Sequence, residues 1–273
     1  MYESYWQLNE KPFENCADPR FYWPGESHQA ALLKLRYAIE NRRGAAMLSG
    51  TGGSGKTLLV HMLRNLLDEQ LGPLAHLVFP QMSTAELLAY LADELDGSRS
   101  AANQPQADQS VRRIERFLAE NTDAGRHAVV IVDEAHLIDD GRTFETLRLL
   151  LNFETAGGPG LTLLLVGQPG LLPLLDRTPQ LDERLGVKCL IRPFGRQETA
   201  DYVAHRLKVA GAKRTIFDPE AMPALHALTH GVARSINRLC DLALLIGFAE
   251  QRDTLGAEHL EAVAEELVAV VPE

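Results

Sequence analysis

Apolar positions follow two rhythms along this chain. Up to about residue 193, short continuous apolar runs alternate with stretches of helical spacing. Beyond it only helical spacing remains. The strand candidates are Ala45–Ser49, Leu74–Phe79, Ala128–Val132, Leu161–Val166 and Val187–Ile191, of which Ala128–Val132 is apolar throughout. Such runs suit strands covered on both faces, as in a parallel sheet. Between them, Leu32, Leu35 and Ile39 recur at helical spacing within 28–41, and Leu58, Leu59, Met62, Leu63, Leu66 and Leu67 do so within 57–71. Further helices are predicted up to about Leu95, over Val111–Leu118, and over 143–154, the last ended by Gly157-Gly158-Pro159. Four more follow Pro193, near 196–210, 219–230, 235–251 and 256–268. Asp218 reads as the N-cap of the second, with Pro219 at its first helical position. Alternating strands and helices predict an α/β fold with a parallel sheet sandwiched by helices, residues 1–193. A small all-helical domain, 194–273, comes after it. The stretch GSRSAANQPQADQS at 97–110 has no large apolar anchor and reads as an exposed loop.

The first predicted strand runs into Gly50-Thr51-Gly52-Gly53-Ser54-Gly55-Lys56-Thr57, and a helix follows at once from Leu58. This spacing is the P-loop pattern in its proper strand–loop–helix setting. Glycines let backbone N–H groups curl around an anion, and the helix points its positive end at the same place. The loop therefore predicts a bound nucleoside triphosphate. Lys56 is expected on the β- and γ-phosphates and Thr57 on Mg²⁺.

A second apolar run, AVVIV, ends in Asp133-Glu134-Ala135-His136. Ligands bind at the carboxyl ends of parallel strands, so a carboxylate pair there is well placed. Asp133 suits the Mg²⁺, directly or through water, and Glu134 suits the base that orients and polarises the attacking water. The letters DEAH also mark a helicase box, but such a helicase needs two nucleotide-binding domains and this chain has room for one. His136 reads as a supporting or loop residue. Gln168 closes the strand LTLLLV and is a candidate for holding the attacking water, or is a simple turn residue. Arg184 precedes the last strand and Arg234 opens the third helix of the small domain. Either suits the charge that develops on a transferred phosphate, and either is also an ordinary surface arginine.

Charge narrows the reading. The 273 residues carry a formal net charge of −10, which argues against wrapping duplex DNA by bulk attraction. Cys16, Cys189 and Cys240 show no metal-ligand spacing and read as reduced thiols. The first residues, MYESYWQLNEKPFENC, have no signal-peptide character, and no run approaches the ~20 apolar residues of a membrane span. A soluble, cytoplasmic protein is expected.

Taken together, these motifs resemble the AAA+ ATPases. More narrowly they resemble the ATPase module of the secretion-pathway protein A type, with its pilus-biogenesis and transposition-helper relatives. The resemblance rests on Tyr2, Leu8, Pro12-Phe13, Asp18-Pro19-Arg20-Phe21, His28 and Ala31-Leu32 near the start. It continues in VIVDEAH, LRLLLNFE and LLLVGQPGL, then in ETADYVAHRLKVAGA and GVARSINRLCDLALL. It implies sheet order 5-1-4-3-2, a four-helix lid, and ATP with Mg²⁺. It makes Gln168 sensor 1, Arg234 sensor 2, and Arg184 a finger reaching the nucleotide of a neighbouring subunit, hence a homo-oligomer when ATP is bound. It also sets Pro12-Phe13 and Phe21 near the adenine. Secretion-pathway relatives carry a membrane span and a wall-binding domain after the ATPase, and origin-recognition relatives a winged helix; this sequence runs to 273 with neither. An assembly motor or regulator of a secretion apparatus is expected, with a DNA-associated ATPase and a nucleotide switch as the alternatives.

Overall fold

The computed structural model describes residues 1–68, 70–98, 106–155 and 158–269. Backbone packing divides the chain into two compact units. One comprises Ser27–Gly52 and Leu59–Ile191; the other comprises Met1–Glu26, Gly53–Leu58 and Arg192–Glu273.

The first unit is built on a five-stranded sheet. Its strands are β1 (Ala45–Gly50), β2 (Leu74–Leu77), β3 (Ala128–Val132), β4 (Leu161–Gly167) and β5 (Leu185–Ile191). All pair in parallel, in the order β2-β3-β4-β1-β5, which is the expected 5-1-4-3-2. Every residue of β1, β3 and β4 is buried. Their Val, Ile and Leu side chains fill both faces, each contributing about 1.5–3 kcal/mol by leaving water. Helices α1 (Glu26–Glu40), α2 (Lys56–Leu66), α3 (Thr84–Asp96), α4 (Ala107–Asp123) and α5 (Gly141–Leu150) accompany the sheet along the chain. Ser83 caps α3: its hydroxyl accepts the Glu86 N–H while Glu86 returns a bond to the Ser83 N–H, and Gly97 closes the helix in a left-handed turn.

Several expectations need correction. β5 is an edge strand, so only Cys189 and Ile191 are fully buried and Leu190 is 62% exposed. β2 stops at Leu77, leaving Val78 and Phe79 exposed. α2 ends at Leu66, five residues early, before the polar Asp68 and Gln70. Two short helices, α6 (Leu171–Asp176) and α7 (Pro179–Asp182), had no periodicity long enough to declare them. Half of the expected loop at 97–110, residues 99–105, lies outside the described residues, and α4 already begins at Ala107.

The second unit packs α8 (Arg196–Val209), α9 (Ala221–Thr229), α10 (Ala233–Ala249) and α11 (Ala257–Ala269) around an aromatic core. α9 starts two residues later than predicted. Asp218 and Pro219 form the turn before it, where the Asp218 carbonyl accepts the Ala221 N–H and its carboxylate accepts the Thr254 hydroxyl. The first residues of the chain supply much of this core: Tyr2, Trp6, Leu8, Phe13 and Phe21 are buried among lid residues. Trp6 donates its indole N–H to the Leu244 carbonyl at 2.9 Å. Arg206 is buried, lies 4.5 Å over the Phe21 ring, and donates to the carbonyls of Pro12 and Glu14. Phe13 and Phe21 thus serve as core in this unit, whereas the sequence grouped residues 1–26 with the sheet.

Candidate functional site

In a parallel sheet every strand ends at the same edge. Gly50 ends β1, Gln168 follows β4 and Asp133 follows β3, and the pairings Ser49 with Gly167 and Val132 with Leu165 bring these ends side by side. Asp133 is 3% exposed. Its N–H donates to the Leu77 carbonyl at 2.8 Å, and its Oδ1 accepts the Glu134 N–H at 2.8 Å. His76 of β2 places Nε2 3.8 Å from Asp133 Oδ2. Glu134 has a left-handed backbone, φ 49° and ψ 34°, which is uncommon without glycine and clusters at functional turns. It opens a short 3-10 turn, Ala135–Leu137, in which His136 Nδ1 accepts the Gln168 N–H at 3.3 Å.

The glycine loop leaves β1 and enters α2 at Lys56. Gly53 and Gly55 have φ of +76° and +90°, open to glycine at no steric cost. Lys56 and Ser54 are buried, Lys56 at 6% exposure, while Thr57 is exposed. Within the helical unit, the loop meets the start of α10. The Arg234 N–H donates to the Gly53 carbonyl at 3.1 Å, using one of the donors that a helix start leaves unpaired. A Cβ on Gly53 would stand 2.5 Å from the Arg234 Cβ, so only glycine fits there. The oxygens of Thr57 and Asp133 are hard donors of the kind Mg²⁺ takes. No cluster of three or more His, Cys, Asp or Glu able to hold a metal occurs among the described residues. A cation held mainly by phosphate oxygens and water needs none.

Arg184 stands apart. Its carbonyl accepts the N–H of Ala45, the first residue of β1, at 3.2 Å, and its side chain donates to Asn152 Oδ1 at 3.2 Å. It is exposed at the edge where the strands begin. Five strand steps, roughly 17 Å, separate that edge from Gly50. The structure therefore groups Gly50, Asp133, Glu134 and Gln168 at one edge of the sheet, sets Arg234 against Gly53, and keeps Arg184 at the far edge. Sequence reasoning missed His76, whose only signal was a lone polar residue in an apolar run. It named His136 without finding its partners.

A five-stranded parallel sheet in this order, with a P-loop after its first strand, defines a P-loop nucleoside triphosphatase fold. Residues 39–175, half of the chain, match the family model of the AAA domain, and the chain belongs to that family. It is similar to the secretion-pathway protein A type: it is 35% identical over 254 residues to general secretion pathway protein A of Aeromonas hydrophila. That match covers 91% of this chain and 45% of the relative, so the chain spans less than half of that protein. Among solved structures, it resembles Cdc6p from Pyrobaculum aerophilum, with TM-score 0.71, 15% identity, and coverage of 96% of this chain and 74% of that one. It also resembles the Aeropyrum pernix ORC2 protein in ADPNP–ADP complexes, with TM-score 0.69, 16% identity, and coverage of 94% and 72%. The Thermotoga maritima RuvB Holliday junction branch migration motor follows at TM-score 0.61 and 16% identity, over 89% and 70%. At these identities the likeness concerns the fold. No helix among the described residues is long and apolar enough to cross a membrane.

Proposed function

We propose that this chain binds ATP with Mg²⁺ and hydrolyses it, and that it works in the cytoplasm as an oligomeric motor or regulator of a secretion apparatus. The observation that carries the chemistry is the shared strand edge, where the glycine loop, the Asp133-Glu134 pair and Gln168 emerge side by side. The match to general secretion pathway protein A supports the cellular role. The sheet part acts as the base, and the helices after 193 act as the lid.

In this reading the N–H groups of Gly50 through Leu58 cradle the phosphates and Lys56 holds the β- and γ-phosphate oxygens. Thr57 and Asp133 hold Mg²⁺, which spreads the negative charge of the phosphates. Glu134 orients the attacking water and takes its proton, and Gln168 keeps that water in line. Arg234 reaches the γ-phosphate from the lid. Arg184, at the opposite edge, serves the nucleotide of the next subunit.

The test is ATPase rate per subunit against protein concentration, native beside Arg184→Ala, with nucleotide affinity measured separately. We expect the native rate to rise with concentration and the variant to stay low and flat while binding ATP normally. A concentration-independent rate unaffected by Arg184→Ala would overturn the oligomeric reading. Binding with negligible turnover at every concentration would mark a nucleotide switch instead.

A further inference from the structure

The turn after β3 brings one ring nitrogen to two of the candidate residues. His136 Nδ1 lies 3.3 Å from the Gln168 amide nitrogen and 3.3 Å from Glu134 Oε2. A backbone N–H only donates, so Nδ1 offers it a lone pair, and a neutral ring then carries its proton on Nε2. In that tautomer Nδ1 has no proton for Glu134. Glu134 Oε2 is itself enclosed and has no hydrogen-bond partner among the described residues, although its side chain is 40% exposed. A carboxylate oxygen and a nitrogen lone pair repel. The carboxylate is thus refused a bond inside its own turn and stays available on its open side. The close approach is built into the backbone. A Cβ at Gly167 would lie 3.3 Å from the His136 nitrogen and 3.4 Å from its Nδ1, a tight fit that would need the turn to give by a few tenths of an ångström.

We propose that His136 is a positioning residue for ATP hydrolysis, bonded to the end of β4 at Gln168 and holding off the carboxylate of Glu134. Its lone pair anchors the Gln168 backbone and at the same time keeps Glu134 from being sequestered. A displacement at Gln168 is thereby felt at Glu134. The proposal rests on the ATPase reading above and concerns the same site.

His136→Phe keeps the ring volume and removes the lone pair, whereas His136→Asn restores an oxygen acceptor. We expect His136→Phe to lower kcat about tenfold, the worth of one hydrogen bond, with KM for ATP unchanged. His136→Asn is expected to recover most of that loss. Because His136 acts through Glu134, adding His136→Phe to Glu134→Gln should produce no further loss. In the nucleotide-free protein, the Gln168 amide should exchange with deuterium faster in His136→Phe than in the native chain. Native turnover in His136→Phe, or an equal loss with and without Glu134, would overturn the proposal. A native chain that binds no ATP would overturn the ATPase reading as well. ATP binding and hydrolysis that survive His136→Phe unchanged would remove His136 alone.

Discussion

Strands β3 and β5 are both read as strands from short stretches rich in apolar residues, although β5 carries Lys188. In the sheet they have opposite roles. β3 lies between β2 and β4 and is buried along its whole length, and its candidate residues, Asp133 and Glu134, follow its last residue. β5 pairs only with β1, alternates between exposed and covered positions, and its candidate, Arg184, precedes its first residue. A parallel sheet gives these two placements different reach. Residues that follow strands converge at one edge. Residues that precede them gather at the other, where within this sheet they meet none of Gly50, Asp133 or Gln168. On the proposed reading, an arginine at the starting edge serves the phosphate of another copy.

The largest expected effect breaks this contrast directly. On the proposed reading, Arg184→Ala alone lowers turnover by about 10³-fold, while Glu134→Gln lowers it between about 10²- and 10⁴-fold with ATP still bound. Mixing the two inactive variants should restore activity, because subunits carrying Glu134 then receive Arg184 from neighbours. Steady-state hydrolysis of the mixture reads this out. A mixture as inactive as its parts would place both residues in one subunit's site and erase the distinction between the edges.

Two smaller effects sharpen it. Ile131→Ala, at the centre of buried β3, should cost about 2–5 kcal/mol in denaturant unfolding, whereas Leu190→Ala on exposed β5 should stay within about 0.5 kcal/mol. Similar losses at the two positions would mean that β5 is covered. His127 stands just before β3, at the same edge as Arg184. It is fully buried and its Nε2 shares a hydrogen bond with Thr162 at 2.8 Å. Burial, with the nearby Arg42 charge, lowers its pKa from 6.5 to about 4. The unfolded chain therefore binds the extra proton between those values. The stability that neutral His127 supplies is complete above pH 6.5 and is lost as pH falls toward 4, up to about 3 kcal/mol. His127→Gln should flatten that acid decline in urea titrations across this range. An unchanged decline would assign it to other groups.

Much of the fold was legible because its signals are local. The buried runs of β1, β3 and β4 read as strands without help, since strands covered on both faces need apolar residues at every position. The four helices after Pro193 emerged from their spacing, with starts off by up to two residues at Asp218-Pro219. Short elements such as α6 and α7 hold too few residues for a period to show. The exposed side of β5 had one local signal, Lys188 between Val187 and Cys189, but the sequence does not say which strands lack a neighbour. Phe13 and Phe21 carry the same limit: aromatic residues advertise burial but not the partners that bury them.

The candidate site divides along the same line. The glycine spacing of 50–57 and the Asp-Glu pair after AVVIV point by themselves to the proposed chemistry, because phosphate binding and water activation call for those groups at those offsets. Geometry was decided only by the tertiary structure. It seats Arg234 on Gly53, leaves Arg184 at the opposite edge from Asp133, and sets His136 between Glu134 and Gln168. The physical reason is the order of the strands. Residues 134 and 168 become neighbours through the pairing of β3 with β4, a contact that no local pattern of side chains encodes.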